Sequence, residues 1–337
     1  MDRVLITGGA GFLGSHLCER LLAGGSEVTC VDNFVTGSRA NVAHLVGRRG
    51  FRLVAHDIRQ PFVPERPPSI VFHLASPASP VAYLANPIET LLTGSFGTET
   101  ALGLASAARA TFVLASTSEV YGNPEVHPQP EWYRGSVSTT GPRSVYDEAK
   151  RYSEALTMAY HRARGVHTRI ARIFNTYGPR LAPGDGRAIP NFIGQALSGR
   201  PLTVYGDGSQ TRSFCYVDDT VDGLIALADR GGPEPVNLGN PDERTLLDVA
   251  RLIIKLTRST SDIVFEDLPE DDPAVRRPVI AKARLDLGWE PRVSLEAGLA
   301  VTIEWIRHMS DPIMASPLDR QPIAANGALV SSVRRGE

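Results

Sequence analysis

Short apolar runs and amphipathic stretches alternate along the first half of the chain. Residues 4–7, 27–32, 52–56, 70–74, 111–116 and 168–174 are rich in Val, Ile, Leu and Phe and have strand length. They are apolar nearly throughout, as expected of strands covered by helices on both faces. Residues 12–23, 87–109 and 146–164 carry helical periodicity and lie between them. This succession predicts an α/β fold with a doubly wound parallel sheet of the Rossmann type.

The texture changes after Asn175. Gly178-Pro179-Arg180, Pro183-Gly184-Asp185-Gly186 and Gly206-Asp207-Gly208 punctuate shorter elements, because Gly and Pro supply or fix turn conformations. Residues 1–175 are expected to form a dinucleotide-binding domain, with 215–240 returning to it. Residues 176–214 and 241–310 are expected to form a smaller α/β substrate-binding lobe. Residues 311–337 lack periodicity and read as a loose tail.

Composition narrows the function classes. The 337 residues are 42% hydrophobic and 21% charged, with a net charge of -2. Nothing there favours a nucleic acid or an anionic membrane as partner. No apolar run approaches the roughly 18 residues of a membrane span. The chain enters its first strand directly, without the layout of a signal peptide. Cys18, Cys30 and Cys215 have no metal-ligand spacing, so no metal is expected, and a cytoplasmic setting is. The chain has only three lysines, Lys150, Lys255 and Lys282, so each merits inspection.

Residues 7–14, Thr-Gly-Gly-Ala-Gly-Phe-Leu-Gly, follow the first strand and open the first helix. Gly8, Gly11 and Gly14 would allow a tight turn, close approach to a pyrophosphate, and close helix–strand packing. The helix N-terminus adds N–H donors and partial positive charge. Asp32, ending the second strand, would accept from ribose hydroxyls and repel a 2′-phosphate, which favours NAD over NADP. Asp57 and Ile58 either flank the adenine or form a strand-end turn.

Tyr146 and Lys150 are four apart on a predicted helix and share a face. Such a lysine would stabilise the phenolate and lower its pKa from about 10. The tyrosine could then take a hydroxyl proton while the neighbouring carbon gives up hydride. The same spacing also serves ordinary surface packing. Thr117, past the fifth strand, could bond the same substrate oxygen or simply cap the strand.

These residues, with His73-Leu74-Ala75-Ser76, resemble the extended short-chain dehydrogenase/reductase family. The likeness runs from residue 2 to about 309. Further stretches carry it: HLASPASP at 73–80, LASTSEVYGNPEVHP at 114–128, YDEAK at 146–150, ARIFNTYGPR at 171–180, PLTVYGDGSQTR at 201–212, VNLGNP at 236–241 and LGWEP at 287–291. Within the family the chain resembles the UDP-glucuronate decarboxylases. The resemblance implies NAD contacts from Phe12, Leu13, Asn33, Thr36 and Gly37, and from Leu74, Ala75, Ser76, Thr93 and Ala115. It implies a UDP-sugar substrate and a homodimer.

Thr117-Ser118-Glu119 decides the subclass. In the similar 4,6-dehydratases the middle position is an acid that protonates a departing hydroxyl. Ser118 removes that acid, whose charge would repel a substrate carboxylate. Arg212 matches the arginine that faces the sugar carboxylate, a group that a guanidinium fork suits. Asn175 and Arg187 match positions near the diphosphate, Thr203 and Tyr205 the segment that holds uracil, Arg276 a second phosphate-side arginine, and Tyr83 a tyrosine near the sugar. The implied donor to C5 is Glu119, a water held by it, or Tyr146; the other reading of Glu119 is a structural hydrogen bond. The implied reaction turns UDP-glucuronate into UDP-xylose through a 4-keto intermediate with NAD recycled. A 4-epimerase, a 4,6-dehydratase and a cofactor-binding regulator are the alternatives. Two positions depart from the relatives: Gly94 replaces Asn, and Leu92 stands where lysine is frequent.

Overall fold

The computed structural model describes residues 2–268 and 273–310. The expected tail at 311–337 and the Asp271-Asp272 pair lie outside the described residues. Six apolar runs become the parallel strands β1 (Arg3–Thr7), β2 (Glu27–Asp32), β3 (Phe51–Ala55), β4 (Ile70–His73), β5 (Thr111–Thr117) and β6 (His167–Ile173). A seventh, β11 (Val236–Leu238), joins beside β6, giving the order β11-β6-β5-β4-β1-β2-β3. This is the doubly wound order, which reverses beside β1 and opens a crevice at the strand ends there.

Strand alternation sorts the core. Val4 and Ile6 pack with Leu17 and Cys18 of α1 (Phe12–Ala23) and with Val221 and Leu224 of α7 (Val217–Arg230). Leu5 packs on the opposite face with Leu102 and Ala105 of α4 (Thr98–Ala108) and Tyr160 of α5 (Ser144–Arg164). Successive residues of one strand thus serve two cores, which is why the runs carry no polar alternation.

Over the strand ends lie α2 (Pro80–Ala85), α3 (Pro87–Leu92), α6 (Ala188–Leu197), α8 (Leu246–Thr257), α9 (Ala281–Leu287) and α10 (Leu295–Ser310). Three small sheets accompany them. β7 (Thr176–Tyr177) pairs with β10 (Cys215–Tyr216), and β8 (Leu202–Tyr205) with β13 (Ile263–Glu266). β9 (Thr211–Ser213) lies between β12 (Glu243–Thr245) and β14 (Val275–Arg276).

The single helix expected at 87–109 is interrupted. Between α3 and α4, Thr93–Gly97 forms a π-helical turn. It sits at a close approach: a Cβ on Gly94 would lie 2.7 Å from the Cβ of Ala149 on α5. Ser153 Oγ then donates to the Gly94 carbonyl at 2.8 Å. A local change of helical pitch suits a side chain that intrudes on the backbone ladder.

Asp219 anchors the C-terminal segment to α7. Its Oδ2 accepts from the backbone N–H groups of Arg292 (3.0 Å) and Val293 (2.9 Å), and its carbonyl accepts from Trp289 Nε1 (2.9 Å). Asp219→Ala strands two backbone donors, so it is expected to lower unfolding free energy by about 1–3 kcal/mol. Urea denaturation reads this, and a loss within error of zero would show that water replaces the carboxylate.

Candidate active site

A cleft of about 1140 Å³ runs along the C-terminal ends of β1, β2, β4 and β5 and beneath the smaller sheets. Its cofactor end is built from the β1–α1 turn. A Cβ on Gly14 would collide with the Gly8 carbonyl, and one on Gly8 would lie 2.7 Å from the Ala75 amide nitrogen. Gly8 also has φ of +70°, which a side chain disfavours. The cap of α1 is Gly11, with no side-chain acceptor and no acid in the first turn, so the N–H groups and positive helix end face the cleft. Asp32 is buried at the far wall, accepting from Ala10 N–H at 2.9 Å and Phe34 N–H at 2.8 Å. Burial raises its pKa against those two donors. Each carboxylate oxygen keeps a second lone pair for a ribose hydroxyl. The cradle therefore fits a dinucleotide.

Phe12, Leu13, Asn33, Thr36, Asp57, Ile58, Leu74, Ala75, Ser76, Thr93 and Ala115 line the same cleft. Gly37 does not line it but presses on Asp32, where a Cβ would stand 2.8 Å from Oδ2. Asp57 is held by Arg59, which together with other donors pulls it down to about 2.

At the centre, Thr117, Ser118, Glu119, Tyr146 and Lys150 come together. Tyr146 and Lys150 project from the first two turns of α5. Lys150 Nζ donates to Ala115 O at 2.8 Å and lies 5.9 Å from the centroid of the Tyr146 ring. Burial pulls Lys150 down to about 8, with Glu154 opposing. The expected lowering of the Tyr146 pKa is not seen in the protein alone. Burial pushes that phenol up, and the opposing groups are Thr117, by hydrogen bond, and Arg187, by charge. Tyr83 stacks on Tyr146, ring centroids 5.3 Å apart and planes 5° from parallel.

Glu119 sits between two arginines. Its Oε2 accepts from Arg143 Nη2 at 2.7 Å and Arg276 Nη2 at 3.3 Å. Burial would raise the carboxyl, but Arg276, Arg143 and Arg212 together hold it down to about 2. It is a carboxylate at neutral pH and holds no proton to give. Arg276, expected on the phosphate side, is 1% exposed and does not line the cleft. Its guanidinium also donates to Ser118 O at 2.5 Å and Gly122 O at 3.0 Å, bracing the turn that carries Glu119. Arg212 sits beside it, since Arg276 and Arg212 are register partners in β14 and β9. Arg212, Asn175, Arg187, Thr203, Tyr205 and Tyr83 all line the far half of the cleft. Arg143, absent from the sequence-derived set, lines it too; nothing in its loop context marks it, because only the fold brings it to Glu119.

Sequence comparison places this architecture. A profile of the NAD dependent epimerase/dehydratase family matches residues 4–239. The chain belongs to that family and is an enzyme of the extended short-chain dehydrogenase/reductase type. It is 54% identical over 305 residues to UDP-glucuronic acid decarboxylase 1 of Xenopus tropicalis, covering 90% of this chain and 72% of that one. Two solved structures share the fold. UDP-glucose 4-epimerase of Thermotoga maritima, with UDP-glucose, has TM-score 0.83 and 29% identity, covering 90% of this chain and 98% of that one. A dTDP-glucose 4,6-dehydratase variant from Streptomyces venezuelae, with NAD bound, has TM-score 0.82 and 29% identity, covering 90% and 97%. Among the described residues, no helix is long and apolar enough to cross a membrane, and no group of His, Cys, Asp or Glu could hold a metal ion.

Asp147, next to Tyr146, is 6% exposed. Burial, then the charge of Glu119, pushes its carboxyl up to about 7. The folded protein keeps a proton that the unfolded chain, with Asp near about 3.9, releases. Its ionisation therefore subtracts stability as pH rises from about 4 through about 7. Asp147→Asn removes that loss, so the variant should melt above wild type at pH near 8 and level with it at pH near 4. Thermal melts at both pH values check this; a constant offset would place the effect elsewhere.

Proposed function

We propose that this protein is an NAD-dependent UDP-glucuronate decarboxylase, releasing UDP-xylose and carbon dioxide. The observation that carries the reading is the charge at the sugar end of the cleft. Arg143 and Arg212 line it beside the carboxylate of Glu119, and Ser118 stands where a second acid would repel a substrate carboxylate. The 54% identity to a decarboxylase supports it independently.

NAD, when bound, supplies a hydride acceptor for C4 of the sugar and returns the hydride at the end. The cradle of Gly8, Gly11 and Gly14 and the carboxylate of Asp32 would hold it. Tyr146 takes the C4 hydroxyl proton as a phenolate, a form that Lys150 below it, the hydrogen bond of Thr117 and the positive charge of bound NAD would favour against the burial that raises the phenol in the protein alone. The resulting C4 ketone lies β to the carboxylate. The C5–C6 bond breaks, its electron pair becomes an enolate, and carbon dioxide leaves. C5 then takes a proton. Glu119, held ionised by its arginines, orients a water that gives this proton, and Tyr146 keeps its own to return to the C4 oxygen with the hydride; where Tyr146 protonates C5 instead, water must reprotonate it before the hydride returns. Arg212 binds the carboxylate of the incoming substrate, while Asn175, Arg187, Thr203 and Tyr205 hold the nucleotide. We also propose a homodimer in the cytoplasm. Ile88, Phe96 and Tyr152 are 65%, 55% and 50% exposed on α3, the π-helical turn and α5, and the three cysteines are free and buried.

Incubating the protein with UDP-glucuronate should give UDP-xylose by mass spectrometry with equal carbon dioxide. A six-carbon acid epimer without gas would establish a 4-epimerase instead. Tyr146→Phe should keep nucleotide binding and slow turnover by about a hundredfold or more; turnover near wild type would remove it from the chemistry. Asp32→Ala should weaken NAD and lessen the preference over NADP, because the buried charge that opposes a 2′-phosphate is gone. Calorimetric titration of both cofactors measures this, and an unchanged ratio would locate the discrimination elsewhere.

A further inference from the structure

His73 ends β4, is 2% exposed, and does not line the cleft. It is the middle of a buried polar chain. Thr7 Oγ1 lies 2.8 Å from its Nδ1, and Thr98 Oγ1 lies 3.2 Å from its Nε2. Thr98 Oγ1 is also 3.1 Å from Ser153 Oγ. Ser153 Oγ lies 2.8 Å from both the Gly94 and the Ala149 carbonyls. At the other end, the Ala75 N–H donates to Thr7 Oγ1 at 3.4 Å.

Distances and proton counting together give each bond a direction. Ser153 Oγ lies nearer to the Gly94 and Ala149 carbonyls, which only accept, than to Thr98, and its one proton goes to one of them. Thr98 must then donate to Ser153, and has no proton left for His73. The bond between His73 and Thr98 therefore requires a proton on Nε2. Nδ1 of the neutral ring is left as an acceptor, and Thr7 donates to it. Burial, then the charge of Lys150, holds the imidazole down to about 3, so the ring is neutral at working pH.

The two ends of the chain touch the two halves of the chemistry. Thr7 precedes Gly8 of the cofactor cradle. Ser153 and Ala149 belong to the turn of α5 that carries Lys150. We propose that His73 is a positioning residue, a neutral imidazole protonated on Nε2 that fixes the cofactor loop relative to Lys150. The functional part rests on reading the cleft as an NAD site; the tautomer does not.

Protein labelled with nitrogen-15 in histidine gives the tautomer directly, without cofactor or substrate. The His73 signal, assigned by its loss in His73→Gln, should show a protonated Nε2 and a bare Nδ1. It should not titrate between about pH 5.5 and about pH 9, where a free histidine would. A proton on Nδ1, or titration in that range, overturns the proposal. Two variants then divide the chain. Asn places a carbonyl near the Nδ1 position and keeps the Thr7 bond; Gln places an amide near the Nε2 position and keeps the Thr98 bond. His73→Asn should hold Kd for NAD within about twofold and lower kcat by about tenfold, the order of one buried hydrogen bond. His73→Gln should raise Kd for NAD by about tenfold and leave kcat at saturation within about twofold. Equal losses of both quantities in both variants would reduce His73 to packing and overturn the positioning role. Should UDP-glucuronate not be the substrate, the resonance and the NAD titrations still decide the question.

Discussion

The contact on which the site depends is the carboxylate of Glu119 between the guanidinium groups of Arg143 and Arg276. Glu119 follows β5, Arg143 caps α5, and Arg276 belongs to β14 in the upper sheets. Three parts of the chain meet at one charge. Desolvating an ion pair is costly, and removing one partner leaves an uncompensated charge. The arrangement tolerates no drift among its three supports. It fixes the distance between the strand that carries Thr117 and the helix that carries Tyr146, and it seats the upper layer over both.

What could be read from the sequence follows a physical division. The cofactor half is local. Gly8, Gly11, Gly14 and Asp32 act through turn geometry and strand-end position within one βαβ unit, so their pattern survives in one dimension. The strands were legible because burial on both faces leaves an apolar run. The Tyr146–Lys150 pair was legible because helical spacing alone puts both on one face.

The remainder depends on contacts between distant segments. Arg276 reads as a phosphate ligand by its neighbours, yet strand register places it beside Arg212 and under Glu119. Arg143 lies in a loop whose composition carries no signal. Gly94 is visible as a departure, but the room it leaves for Ala149 of another helix, at the π-helical turn, is set by the fold. Tyr146 shows the same division: the spacing reveals the neighbouring lysine charge, but the burial of the ring, which raises the phenol in the protein alone, is set by the fold.

The return of β11 to the large sheet has a thermodynamic meaning. The chain leaves that sheet after β6, builds α6 and β7 through β10, and comes back only at residue 236 before leaving again. The smaller sheets are built from chain on both sides of β11, so the layer above the cleft is tied to the large sheet in mid-course. Free energy gained by a ligand on the dinucleotide wall is then shared with the opposite wall through the folded state, since binding stabilises whatever must be folded to bind. A ligand on the dinucleotide wall therefore protects the opposite wall against unfolding as well, although it touches none of it.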